Sequence, residues 1–170
     1  MRLFIAVNFN NETRSRLLAL RDELSDKSER GRFSLPENLH LTLAFIGEVS
    51  PKRIDTIETI METVEFAPFA ASVERLGTFS RGTLWWAGLR ENEALMELQR
   101  EVEHKLALSD FVLDGRKYSP HITLGREIVT KSKPWAIEPF GETISSIDLM
   151  KSERINGKLT YTAIYSRKSD

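Results

Sequence analysis

The chain has no cysteine, so disulfides and thiolate metal sites are excluded and the fold does not depend on redox compartment. It has little net charge, about −1 over 170 residues, which removes the general electrostatic case for binding a long polyanion. Any contact with nucleic acid must then be local, at one end or one nucleotide. It has no long apolar run, and its start, Met1-Arg-Leu-Phe-Ile-Ala-Val-Asn8, lacks the length and small-residue cleavage site of a signal peptide. A cytoplasmic protein with no membrane segment is expected. No glycine-rich phosphate loop is present, so no nucleotide cofactor is indicated. Histidine is scarce as well, with three in the whole chain.

What is there is an ordinary globular composition, 41% hydrophobic and 29% charged, sufficient for the core of a single domain spanning 1–170. Residues 2–9 read as a buried strand. A helix capped by Asn10 or Asn11 follows to about 27, with Leu17, Leu20 and Leu24 facing inward. Residues 28–35 read as polar and irregular, and a strand runs from there to 46. Ser50 before Pro51 marks a second helix to about 64. Strands are expected at 69–76 and 83–89 with a turn at 77–82. A helix at 92–108 places Leu95, Leu98, Val102 and Leu106 in one stripe, and a strand is expected at 120–126. A closing hairpin of 143–153 and 158–166 is expected around Asn156-Gly157.

Two of the three histidines recur in one pattern, His40-Leu-Thr-Leu43 and His121-Ile-Thr-Leu124, 81 residues apart. The same offset lays 3–7 on 84–88 and Asn11-Glu12 on Asn92-Glu93, which points to a duplicated strand–helix–strand unit whose copies pack about a pseudo-two-fold axis. In a strand, side chains two apart share a face, so each copy offers an imidazole and one hydroxyl beside it. Two imidazoles facing one phosphate can divide acid from base, and a threonine can donate to a non-bridging oxygen. Threonine stands where a second metal-binding histidine would be, so no metal is expected. His104, among Glu101, Glu103 and Lys105, reads as a solvated helix residue.

Met1-Arg-Leu-Phe-Ile-Ala-Val7, Pro36-Glu-Asn-Leu-His-Leu-Thr-Leu-Ala-Phe-Ile-Gly-Glu48, Leu76-Gly-Thr-Phe79 to Leu84-Trp-Trp-Ala-Gly88 and His121-Ile-Thr-Leu-Gly-Arg126 together resemble the two-histidine (2H) phosphoesterases. More narrowly they resemble the RNA 2′,3′-cyclic phosphodiesterases long called 2′-5′ RNA ligases. The resemblance implies an α+β fold of two lobes, each an antiparallel sheet with helices outside, the sheets lining a central cleft. It implies metal-independent hydrolysis of an RNA-terminal 2′,3′-cyclic phosphate to a 2′-phosphate, with His40 as proton donor and His121 as proton acceptor, and weak reverse ligation. Alternatives are a phosphodiesterase on small cyclic nucleotides or 2′-5′ oligoadenylate, and a non-catalytic RNA-end binder. The expected partner is an RNA 3′ end or nucleotide bearing the cyclic phosphate, met by a monomer.

Thr42 and Thr123 are the expected phosphate donors. Arg126 matches an arginine near the phosphate in the family, but strict alternation puts it on the opposite face from His121, so the strand must end or twist by Gly125. Phe33 and Tyr118 stand where relatives carry other aromatics, and each is a candidate to stack a base or to seal the core.

Overall fold

The computed structural model describes all of residues 1–170. Nine strands and three helices follow in the order β1 (Arg2–Asn8), α1 (Asn11–Asp26), β2 (Ser28–Phe33), β3 (His40–Glu48), α2 (Ile54–Thr63), β4 (Phe69–Phe79), β5 (Leu84–Leu89), α3 (Glu93–Leu108), β6 (His121–Thr130), β7 (Phe140–Ile144), β8 (Ser146–Ile155) and β9 (Lys158–Lys168). The strands form two antiparallel sheets, β3-β1-β8-β9 and β2-β6-β5-β4-β7. The expected α+β class and pair of sheets are therefore found. Each histidine strand lies beside the strand that opens its half, β3 on β1 and β6 on β5.

The helices do not stay with their own sheet. α1 follows β1 of the first sheet but packs against β2, β6 and β7 of the second, whereas α3 follows β5 of the second and packs against β3 and α2. At that crossing Gln99 is buried, and its Nε2 donates to Leu43 O at 3.3 Å. One continuous cluster of 35 buried side chains is shared by both sheets, and Phe4, Ala6 and Met150 form a small separate one on the first.

Three local expectations need correction. Residues 28–33 form the edge strand β2, although their sequence, Ser-Glu-Arg-Gly-Arg-Phe, has no alternation; pairing with β6 makes the strand. Gly77 lies inside β4 and the turn comes later, at Ser80, Arg81 and Gly82, all with positive φ. Gly77 is there because the Trp86 indole lies against it, where a Cβ would come within 2.2 Å of the ring. A short strand, β7, precedes the closing hairpin, whose Asn156-Gly157 turn has φ of 52° and 78°, as a tight primed turn requires. The helix caps are Asn10 and Asn92, each accepting from the backbone three residues on, so the first helix is capped one residue earlier than the 81-residue offset implies.

Candidate active site

His40 and His121 are the first residues of β3 and β6. In each, Nδ1 lies 2.7 Å from the carbonyl oxygen two residues back, Asn38 O and Ser119 O. A carbonyl only accepts, so both Nδ1 atoms carry a proton and both Nε2 atoms are left for chemistry. Both residues line one cleft of about 940 Å³, with walls formed by β1, β3, β8 and β9 on one side and β2 and β6 on the other. Thr42, Thr123, Arg126 and Phe33 line the same cleft.

Arg126 reaches it through a bulge, not through the end of its strand. β6 pairs Thr123 with Trp86 and Gly125 with Trp85, leaving Leu124 without a partner, so alternation slips by one residue. Leu124 and Gly125 are both buried, and Arg126 turns into the cleft. β3 slips at the equivalent place: Ala6 pairs with Thr42 and Ile5 with Ala44, skipping Leu43. Phe45, five residues after His40, thereby faces the cleft too.

Of the two readings for Tyr118, stacking a base or sealing the core, its position matches the second. It is absent from the cleft wall; its ring packs against the core and its hydroxyl donates to Thr42 O at 2.8 Å. Burial pushes its phenol upward, so it stays a neutral donor. It is a strut between the segment leading into β6 and the strand carrying Thr42. No spacing signal distinguishes it from Phe33.

His40 is boxed by aromatic rings, Phe4 at 4.9 Å and Tyr161 edge-on at 5.2 Å. Burial lowers its proton affinity below that of ordinary imidazole; the bond to Asn38 O acts the other way, and the charges of His121 and Arg126 lower it further. Its Nε2 lies 2.9 Å from Thr42 Oγ1, which donates to the neutral ring. His121 has its own pair, Phe79 edge-on at 5.2 Å and Trp86 at 6.2 Å. The Tyr161 phenol is raised by burial, against the pull of Arg126 and Arg2. None of these four aromatics lies in a His-x-Thr motif: Phe4, Phe79, Trp86 and Tyr161 come from β1, β4, β5 and β9. No cluster of three or more histidine and carboxylate side chains is suited to hold a metal. No helix is long and apolar enough to cross a membrane.

Among proteins of known sequence, the chain is 34% identical over 151 residues to a protein of Archaeoglobus fulgidus named RNA 2′,3′-cyclic phosphodiesterase, covering 84% of this chain and 85% of that one. It is 29% identical over 168 residues to the Escherichia coli protein of the same name, covering 96% and 93%. The crystal structure of E. coli LigT complexed with 3′-AMP superposes with a TM-score of 0.87 at 26% identity, over 99% of this chain and 97% of that one. The family described as LigT like Phosphoesterase matches residues 7–86. With that likeness running through nearly the whole chain, the protein belongs to the LigT-like phosphoesterases.

Proposed function

We propose that the chain hydrolyses the 2′,3′-cyclic phosphate at an RNA 3′ end to a 2′-phosphate, without a metal. The two imidazoles, each tied at Nδ1 and both lining one cleft, with His121 Nε2 unbonded and His40 Nε2 accepting from Thr42 Oγ1 alone, are the observation that carries this reading. The names of the relatives supply the substrate class.

Water adds to phosphorus as its proton passes to His121 Nε2, and the bond to the 3′ oxygen breaks as His40 Nε2 gives that oxygen a proton. One P–O bond forms, one breaks, and the two histidines end with exchanged protonation states. Thr42 and Thr123 donate to the non-bridging oxygens, and Arg126 balances their charge. His40 must hold a proton that its buried setting disfavours. The phosphate anion offsets this, because a negative charge beside the ring stabilises the imidazolium. Thr42 then releases His40 Nε2 and turns to the phosphate. A 5′-hydroxyl in place of water gives the reverse joining reaction through the same groups.

The test is an oligoribonucleotide ending in 2′,3′-cyclic phosphate, incubated with excess chelator. Ring opening to a 2′-phosphate is expected, with His40→Ala and His121→Ala each lowering the rate by about 10² to 10⁴. A 3′-phosphate product overturns the assignment of the leaving oxygen. Binding without conversion leaves only an RNA-end binder, and conversion of mononucleotides alone leaves the small-nucleotide alternative.

A further inference from the structure

His40 and His121 account for one end of the cleft, and most of the cleft lies beyond them. Its volume of about 940 Å³ is at the top of the range, ~300–1,000 Å³, that encloses a ligand of drug size. The lining is basic although the chain as a whole is slightly acidic: Arg2, Arg32, Arg126, Lys151 and Arg154 face only Glu48 and Glu153. Two of these cations are already paired, Arg32 with Glu127 and Lys151 with Glu153. Arg2, Arg126 and Arg154 have no carboxylate partner. Arg126 is taken by the reacting phosphate in the proposed hydrolysis. Arg2 and Arg154 remain without an anion.

Their positions follow from the register. On the first sheet His40 pairs with Asn8 at one end of β1, while Arg2 pairs with Glu48 and Ser152 at the other. Phe45 pairs with Phe4 near that far end. His40 pairs with Asn8 and Phe45 with Phe4, so four regular strand residues at ~3.3 Å each, with the bulge adding nothing, put Phe45 about 13 Å along the sheet from His40. The Arg2 guanidinium lies 5.0 Å from the Phe45 ring centre, yet the residue is still 46% exposed. An apolar ring left open in a basic cleft and braced by an arginine is the usual platform for a nucleic-acid base. Ser152 and Arg154 share a strand face, so Arg154 stands one pleat farther out.

We infer that Phe45, braced by Arg2, is a stacking subsite for the base of the nucleotide preceding the terminal one, with Arg154 receiving a backbone phosphate on its 5′ side. This rests on the proposed reaction and deepens it: the substrate is an oligonucleotide end that runs along the first sheet from His40 toward Arg154. The platform does not depend on base identity, because every base has a flat apolar face.

The test reads binding, not turnover. Affinities of the intact protein are measured for a tetraribonucleotide ending in 2′-phosphate and for a nucleoside 2′-monophosphate. The tetranucleotide is expected to bind more tightly, and Phe45→Ala to weaken it by about 5- to 150-fold, since stacking on an aromatic side chain is worth ~1–3 kcal/mol per base. The preference for the longer ligand collapses with it, and Phe45→Trp retains that preference. Arg154→Ala flattens the dependence of log affinity on log salt by about 0.7, the value for one phosphate of a single strand. Equal binding of the two ligands by the unaltered protein overturns the subsite, as does equal weakening of both by Phe45→Ala. If the preference behaves as stated and no ring opening occurs, the reaction falls and the subsite stands. If ring opening occurs and the preference is indifferent to Phe45, the subsite falls and the reaction stands.

Discussion

The two histidines are held alike and surrounded differently. Both open a strand, both turn Nδ1 back to the carbonyl two residues earlier, and both are followed by a bulge at the leucine three residues on, Leu43 and Leu124. Beyond that the halves part. His40 is half-buried between Phe4 and Tyr161, and Thr42 is bonded to it; His121 lies beside Phe79 and Trp86, its Nε2 without a partner and Thr123 along the cleft. The boxes are built from unrelated places: Phe4 and Tyr161 come from β1 and β9, Phe79 and Trp86 from β4 and β5. Repeated backbone geometry supplies two equivalent proton-transfer positions. Divergent packing gives the two positions unlike surroundings, and the proposed displacement asks one to act as acid and the other as base.

The bulges make the sharpest contrast, because the fifth residue after each histidine is turned into the cleft in both halves but is Phe45 in one and Arg126 in the other. If Arg126 meets charge that develops on the phosphoryl oxygens, Arg126→Ala lowers kcat by about 10² to 10³, as removal of one such donor does. Arg126→Lys recovers part of the loss, since a point charge replaces a planar fork. A loss confined to KM instead moves Arg126 to ground-state binding. The measurement is steady-state kinetics on a cyclic-phosphate oligonucleotide.

The motifs, both long helices and the closing hairpin are legible in the sequence because each is a local signal: a repeated tetrapeptide, an asparagine cap, a leucine stripe, an Asn-Gly turn. What is not legible depends on pairing between distant segments. β2 has no pattern of its own and exists because β6 offers an edge. The bulges are invisible, and without them Arg126 sits on the wrong face. Tyr161 reaches His40 although β9 and β3 are opposite edges of their sheet, because the sheet curls until the start of β9 meets the turn before β3, where Asn38 Nδ2 donates to Leu159 O. Tyr118 shows a choice the sequence leaves open: an aromatic beside a motif, able to stack a base or seal the core, packs on the core with its hydroxyl on a backbone carbonyl. The exchange of helices between sheets is equally hidden, since an apolar stripe says that a helix is covered and not by which sheet.

That exchange gives a second contrast, at the helix caps. Asn10 and Asn92 each accept from the third backbone N–H beyond, so Asn10→Ala and Asn92→Ala should each cost about 1 kcal/mol. Only the first helix start meets a carboxylate from the opposite sheet: Glu142 of β7 accepts from Asn10 N at 3.0 Å and from Thr13 Oγ1 at 3.2 Å. Glu142→Gln therefore lowers stability by a further ~0.3–1 kcal/mol, the usual value of an anion at a helix N-terminus. In Asn10→Ala the two losses fail to add, because they share one helix start. Denaturant midpoints of the single and double variants decide it. Additive losses separate the cap from the sheet-to-helix contact.

The smallest effect isolates the buried histidine through acid stability. His40 has a lower proton affinity in the fold than the 6.5 of free imidazole, chiefly because burial penalises the charged ring. The unfolded chain therefore binds the extra proton first as pH falls, and protonation favours unfolding. Stability is at its full value above pH 6.5 and declines as pH drops below it toward the depressed folded value. The carboxyls that the fold holds low, Glu37, Asp114 and Asp170, start from ordinary values of 4.5, 3.8 and 3.8, so their contribution is lost only in more acid solution. Between about pH 6.5 and 4.5 His40 therefore makes stability fall with falling pH, and His40→Gln should flatten that slope. Inorganic phosphate, by stabilising the imidazolium, should flatten it too. A slope that survives His40→Gln would mean that the aromatic box does not keep water from the ring, and the inequality between the two histidines would have to come from elsewhere.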